Sequence, residues 1–210
     1  MRYESRQDAG RKLGAHLAGL GVKADLVLGL PRGGVLVAAE LAQCLQVPLR
    51  VLAARKIGHP LQPEFALGAI AEGGVEFLDP IFPCDDPPIR DQLRSVIAAE
   101  RAHLHQQETL FHPDGRPPDL RGRSVLIADD GLATGATAAA AVLSARRRGA
   151  SEIAVAAPVA SLSAVERLEA LHVAVHVALI DPDFQSVGHF YRDFPQATDA
   201  QVLLCLRGRA

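Results

Sequence analysis

The sequence predicts an α/β fold: an open parallel sheet with helices on both faces. Three observations carry that prediction. Short runs rich in Leu, Val and Ile alternate with segments of helical periodicity, the pattern that successive strand–helix units produce. Two strand candidates run directly into glycine-containing turns, Pro31-Arg32-Gly33-Gly34 and Gly131 to Ala136, each followed by a helix candidate. The composition suits one well-filled core, with 210 residues, 49% hydrophobic and 22% charged. Such a chain is too apolar to stay disordered and long enough to fold without disulfides or a structural metal. A single domain over 1–210 is therefore expected, with its core at about 20–180.

The elements follow in order. Residues 5–19 read as an amphipathic helix, with Ala9, Leu13, Leu17 and Leu20 at helical spacing. Ala24–Leu30 is a buried strand, Val35–Leu45 a helix and Pro48–Ala53 a second strand. Phe65–Asp79 has two apolar runs around Glu72-Gly73-Gly74, a β-hairpin pattern. Residues 89–111 form a long polar helix inserted into the alternation, with Leu93, Ile97, Leu104 and Leu110 as its apolar stripe. A Pro/Gly/Arg loop follows over His112–Arg123. The alternation then resumes with the strand Ser124–Ala128, the helix Thr137–Arg148 and the strand Ile153–Ala157. A helix over Ser161–Leu171, capped by Ser161 or Ser163, leads to a last strand over Val173–Ile180. The Pro-rich hinges at 82–88 and 112–123 do not separate two cores.

Several function classes are excluded at this level. A net charge of −2 gives no overall field to draw nucleic acid or membrane. No apolar run approaches a membrane span, and the charged N-terminus has no apolar stretch of a signal peptide. Cys44, Cys84 and Cys205 show no paired spacing and read as reduced thiols of a cytoplasmic protein. His172 and His176 are four apart but lie in an alternating β-branched run, so a zinc pair is not expected there. His103 and His105, two apart on a helix, diverge. Arg146-Arg147-Arg148 closes a helix, where cations complement the dipole.

Residues 125–137, Val-Leu-Ile-Ala-Asp-Asp-Gly-Leu-Ala-Thr-Gly-Ala-Thr, concentrate the chemistry. A buried strand ends in Asp129 and Asp130, and a small-residue loop then opens a helix. In an open α/β sheet, ligands bind at the carboxyl ends of the strands. The loop offers accessible backbone N–H groups, Thr134 and Thr137 offer hydroxyls, and the helix N-terminus adds partial positive charge, which together make a phosphate cradle. Two carboxylates just upstream would repel a phosphate but suit vicinal hydroxyls. The pattern describes a ligand with a sugar diol near a monophosphate. It is neither a Walker A loop nor a dinucleotide fingerprint. The competing reading of the acids is helix capping or simple solvation, which a buried strand end disfavours.

The same residues resemble the 5-phosphoribosyl-1-pyrophosphate (PRPP) motif of type I phosphoribosyltransferases. Leu30-Pro31-Arg32-Gly33-Gly34 resembles that family's pyrophosphate loop, and Arg55-Lys56 the start of its flexible catalytic loop. The order of elements fits over about 24–195, most of all in the bacterial group of predicted phosphoribosyltransferases, membership in which specifies no acceptor base. The resemblance implies the type I fold with a small C-terminal hood at about 181–206. It implies Mg²⁺-dependent transfer of a phosphoribosyl group from PRPP to a nitrogenous, purine-like base with release of pyrophosphate. A non-catalytic PRPP- or nucleotide-binding regulator is the alternative.

By the same resemblance, Asp129 and Asp130 would accept hydrogen bonds from the ribose hydroxyls and stabilise an oxocarbenium-like transition state, with Lys56 as the third catalytic residue. Ala133, Thr134, Gly135, Ala136 and Thr137 would hold the 5′-phosphate. Arg32, Gly33, Gly34 and Arg55 would hold the pyrophosphate, in a loop that in the family often contains a cis peptide. Mg²⁺ would bridge substrate oxygens with no direct protein ligand. Phe184 and Val187 would contact the base, although the spacing in Phe184–Val187-Gly188 is displaced by one position from the 6-oxopurine enzymes. Those enzymes also carry an acid where Ala133 stands, which weakens the case for hypoxanthine or guanine. Phe190, Tyr191 and Phe194 fit base contact and core packing equally well. A homo-oligomer is compatible with the sequence.

Overall fold

The computed structural model describes residues 2–79, 87–112 and 115–208. Cys84 and most of the 82–88 hinge lie outside them. A parallel sheet is built from β1 (Leu26–Gly29), β2 (Leu49–Val51), β6 (Ser124–Ala128), β7 (Glu152–Ser161) and β8 (Ala174–Asp181), in the order β2-β1-β6-β7-β8. Every pairing within it is parallel. A second, antiparallel sheet holds β3 (Ala54–His59), β4 (Gln62–Ala71) and β5 (Val75–Leu78). The helices are α1 (Arg6–Gly19), α2 (Gly33–Leu45), α3 (Pro87–Phe111), α4 (Ala136–Arg147), α5 (Leu162–Glu169) and α6 (Asp199–Arg207), with a 3-10 turn at Val187–Phe190. The type I architecture expected from the sequence is present.

Strand alternation divides the core between the faces of the parallel sheet. Leu26, Leu28, Val125, Ile127, Val155 and Ala157 point to one side, with α4 and α5. Val27, Leu126, Ala128 and Ala156 point to the other, with α1, α2 and α6. Helix α4 carries Ala138, Ala139, Ala140 and Ala141 fully buried, in one cluster with Ala69 and Ala71 of β4. A helix held between two sheets must be apolar nearly all round, and alanine meets that demand with the smallest side chain and the best helix propensity. Helix α3 lays Leu93 and Leu104 on the second sheet, against Ile57, Leu67 and Ile70.

The structure corrects the sequence reading in several places. Arg55-Lys56 lies within strand β3, which reaches His59 and returns as β4 from Gln62. Ile57 is fully buried there, so the apolar anchor outweighs the two cations before it. Leu20, expected on the apolar face of the first helix, is exposed, because α1 ends at Gly19. Leu110 is exposed and Phe111 is buried in its stead. His172 precedes β8 with a positive φ of 54°, so it shares no strand face with His176. Helix α6 was not expected at all, yet Thr198 and Gln201 form a reciprocal capping box at its start. Ser161, one of the two expected caps, accepts from the Ala164 N–H at the head of α5.

Candidate active site

The site forms where β1, β6 and β7 end. Asp129 and Asp130 leave the tip of β6, and the loop after them is tied down along β7. The Leu132 N–H donates to the Val159 carbonyl and the Ser161 N–H to the Leu132 carbonyl, both at 2.9 Å. The Ser161 hydroxyl donates to the Ala133 carbonyl at 2.5 Å. Gly135 heads α4 at φ 72°, a conformation natural to glycine. The Ala136 N–H reaches the Thr134 hydroxyl at 3.3 Å. The loop is thereby held open at a helix N-terminus.

A cavity of about 200 Å³ follows from this geometry. It is lined by Asp129, Gly131, Leu132, Ala133, Thr134, Gly135, Ala136, Thr137, Lys56, Glu64 and Ala66, among others. The acid, the phosphate loop and the lysine named from sequence therefore meet at one place. Lys56 Nζ donates to the Glu64 carbonyl at 3.3 Å. The largest cavity, of about 700 Å³ beside Gln46 and Arg50, is lined by none of these chemical groups.

Asp130 is placed differently from Asp129. Its Oδ2 accepts from Arg6 Nε at 2.6 Å, and its main-chain carbonyl accepts from the Tyr191 hydroxyl at 2.6 Å. Asp129 Oδ1 accepts from the Asp130 N–H at 2.8 Å. Burial pushes both carboxyls above the usual carboxylate range, Asp129 the further, since the charge of Asp130 adds to its burial while Arg6 chiefly opposes the rise at Asp130. Burial, followed by the Asp130 charge, raises the Tyr191 phenol as well.

The Pro31-Arg32-Gly33-Gly34 turn sits directly on this acid pair, with the Pro31–Arg32 peptide cis. A Cβ on Gly33 would overlap the Asp130 carboxylate, and one on Gly34 would come 2.7 Å from Asp129 Oδ1. Both glycines are required by close approach. Arg32 and Arg55 are brought together in a different cavity, of about 300 Å³, with His103, Gln107 and Asp199. Arg32 Nη1 lies 3.7 Å from Asp199 Oδ1, and Arg55 pairs with Glu100 of α3. Adjacent residues of a strand face opposite ways, so Arg55 turns to α3 while Lys56 turns to the phosphate loop.

The aromatic segment after β8 is divided in the same manner. Val187 packs on Gly131, where an added Cβ would come within 2.6 Å of it. Phe184 stacks on Phe190 at 5.2 Å, and Tyr191 on Phe194 at 4.8 Å. Phe190 and Tyr191 are buried, so packing accounts for them.

Sequence reasoning passed over Arg6. Its side chain is 8% exposed and pairs with Asp130. The available signal was its register: Arg6 continues the buried face of Ala9, Leu13 and Leu17, and a charge on such a face needs a partner. It also passed over Glu72, which is buried at the hairpin turn. Glu72 Oε1 accepts from the Ala53 N–H at 2.6 Å and lies 2.8 Å from His112 Nε2, while Oε2 accepts from Arg148 at 2.8 Å.

Comparison with known proteins places these features in a wider group. A family model for the phosphoribosyl transferase domain matches residues 4–188. Two relatives from Mycobacterium tuberculosis strains, each provisionally named a phosphoribosyl transferase, are 43% identical over 97% of the chain. The chain spans about half the length of these relatives, 46%. The crystal structure of TT1426 from Thermus thermophilus is 40% identical, covers 100% of both chains and superposes with a TM-score of 0.76. A hypothetical protein from Neisseria gonorrhoeae, crystallised with bound ppGpp, shares the fold at 15% identity and a TM-score of 0.53, over 100% of this chain and 99% of its own.

Proposed function

Because the chain belongs to the phosphoribosyl transferase family, we propose that it is an enzyme transferring the 5-phosphoribosyl group of PRPP to a nitrogenous base, with release of pyrophosphate. The observation that supports this most is the shared cavity of Asp129, Lys56 and the 131–137 loop. In this reading the loop amides and the Thr134 and Thr137 hydroxyls bind the 5′-phosphate at the start of α4, where the helix dipole favours an anion. Asp129 and Asp130 accept from the ribose hydroxyls and offset positive charge developing on the sugar as the glycosidic bond breaks. Such fixed charges act strongly because little water screens them. Lys56, at the cavity wall, neutralises the departing pyrophosphate, and Gly33 and Gly34 let that group approach the backbone. Arg32 and Arg55, paired with Asp199 and Glu100, stand in the neighbouring cavity rather than at the wall of this one. Phe184 and Val187 remain the candidates for the base, and Val187 packs on Gly131, the residue after Asp130.

Mg²⁺ fits this donor set. The oxygen ligands it prefers are supplied by carboxylates and by substrate. Among the described residues no group of three or more His, Cys, Asp or Glu could cage it, so the substrate would have to supply most of its ligands, with Asp129 and Asp130 as the nearby carboxylates. Bound there, it would supply charge neutralisation for the leaving group. No helix among the described residues is long and apolar enough to cross a membrane.

The test is pyrophosphate release from PRPP and Mg²⁺ against a panel of purines, pyrimidines and small amines. Release that depends on one class of acceptor is the expected result. Absence of release with every acceptor would count against transfer.

A further inference from the structure

Arginine is an expensive residue to bury, and Arg6 is nearly inaccessible. Its guanidinium is held on three sides. Nε donates to Asp130 Oδ2 at 2.6 Å, Nη1 donates to the Pro195 carbonyl at 2.7 Å, and Cζ lies 3.7 Å over the Phe194 ring. The planar group thus has one orientation, set by the segment after β8 as much as by α1. A lysine could reproduce the charge but not this fork.

What it grips distinguishes the two acids. Asp129 lines the cavity with the phosphate loop and Lys56, and Asp130 does not. One Asp130 oxygen is committed to Arg6, and its main chain is fixed by the Tyr191 hydroxyl. The position a Cβ on Gly33 would need is taken by the Asp130 carboxylate, with Arg6 Nε only 2.8 Å away. The Pro31–Gly34 turn is therefore seated on the Arg6–Asp130 pair.

We propose that Arg6 is a positioning residue of the phosphoribosyl site, orienting Asp130 and seating the Pro31–Gly34 turn while Asp129 is presented to the ligand. This rests on the phosphoribosyl reading above. Without the guanidinium, two adjacent carboxylates would face each other in a poorly solvated place with their nearest compensating charge removed. Asp130 would be released to turn, and the turn above it would lose its support. A purely architectural ion pair would affect folding and leave the response to PRPP alone.

The experiment is a double-mutant cycle on PRPP affinity, measured by calorimetry with Mg²⁺ present. Arg6→Gln and Asp130→Asn are each expected to weaken binding at least about tenfold, the scale of one hydrogen bond to a charged group lost from the ligand's frame. Arg6→Gln/Asp130→Asn should bind within about twofold of the weaker single variant, since both changes remove one interaction. Arg6→Lys should recover part of the affinity. Thermal midpoints of all variants guard against misfolding, and the Arg6→Gln/Asp130→Asn pair, which removes both partners of the ion pair together, keeps the cycle readable.

Wild-type protein that binds PRPP, with Arg6→Gln binding equally well, would overturn the inference and leave the function standing. So would losses at Arg6 and Asp130 that simply multiply. A folded wild-type protein that binds no PRPP would overturn the function, and the inference with it.

Discussion

Asp129 is the residue on which stability and function pull apart. Burial and the neighbouring Asp130 charge hold its carboxyl well above the ordinary range, so the native state keeps a proton that the unfolded chain has released. Between the unfolded and native values the native state carries more bound protons, and its stability therefore falls as pH rises through that window. Asp129→Asn should remove the penalty, raising the thermal midpoint at neutral pH and flattening its decline from about pH 4 upward. Scanning calorimetry across that range checks it, and an unchanged or lower neutral midpoint would show that the carboxyl is not held at a cost. The acid pair was legible because its members are adjacent and end a strand. Arg6 was harder to find, since its partner lies 124 positions away and no short motif joins them.

At the scale of elements, Glu72 joins pieces that sequence treats as separate. It fixes the β4–β5 turn to Ala53 ahead of β3, meets His112 just beyond α3, and pairs with Arg148 at the end of α4. The Ser144 hydroxyl donates to its main-chain carbonyl at 2.6 Å. Glu72→Ala would leave a buried histidine and a partly buried arginine without that acid. A loss of about 3–5 kcal/mol in urea unfolding is expected, and a loss under about 1 kcal/mol would show the cluster to be dispensable. The sequence indicated a Gly-containing hairpin but could not assign its glutamate, whose partners come from three other parts of the chain. Strands β1 and β6 were readable from unbroken apolar runs and β8 from its alternation. Strand β3 was not, because its Arg55-Lys56 looks like loop until Ile57 and the pairing with β4 are known. Helix α6 carried a readable start at Thr198 and Gln201 and a short apolar run that buries Val202 against α2 and the sheet.

For the whole molecule, the two sheets have different tasks. The parallel sheet brings the acids, the phosphate loop and the Pro31–Gly34 turn to one edge, while the antiparallel sheet presents Lys56 toward them and Arg55 away. That division was beyond the sequence, which grouped Arg55 and Lys56 together and could not show that strand geometry separates them. The fold class and the main loops were accessible, because each is written in a short contiguous segment. The central claim is that the carboxyl edge of the parallel sheet is a PRPP site. Calorimetric titration of PRPP with Mg²⁺ into the wild-type protein and into Asp129→Asn/Asp130→Asn tests it most directly. Saturable binding in the wild type, lost in a variant that remains folded, is the predicted result; no binding in the wild type, or equal binding in both, would contradict it.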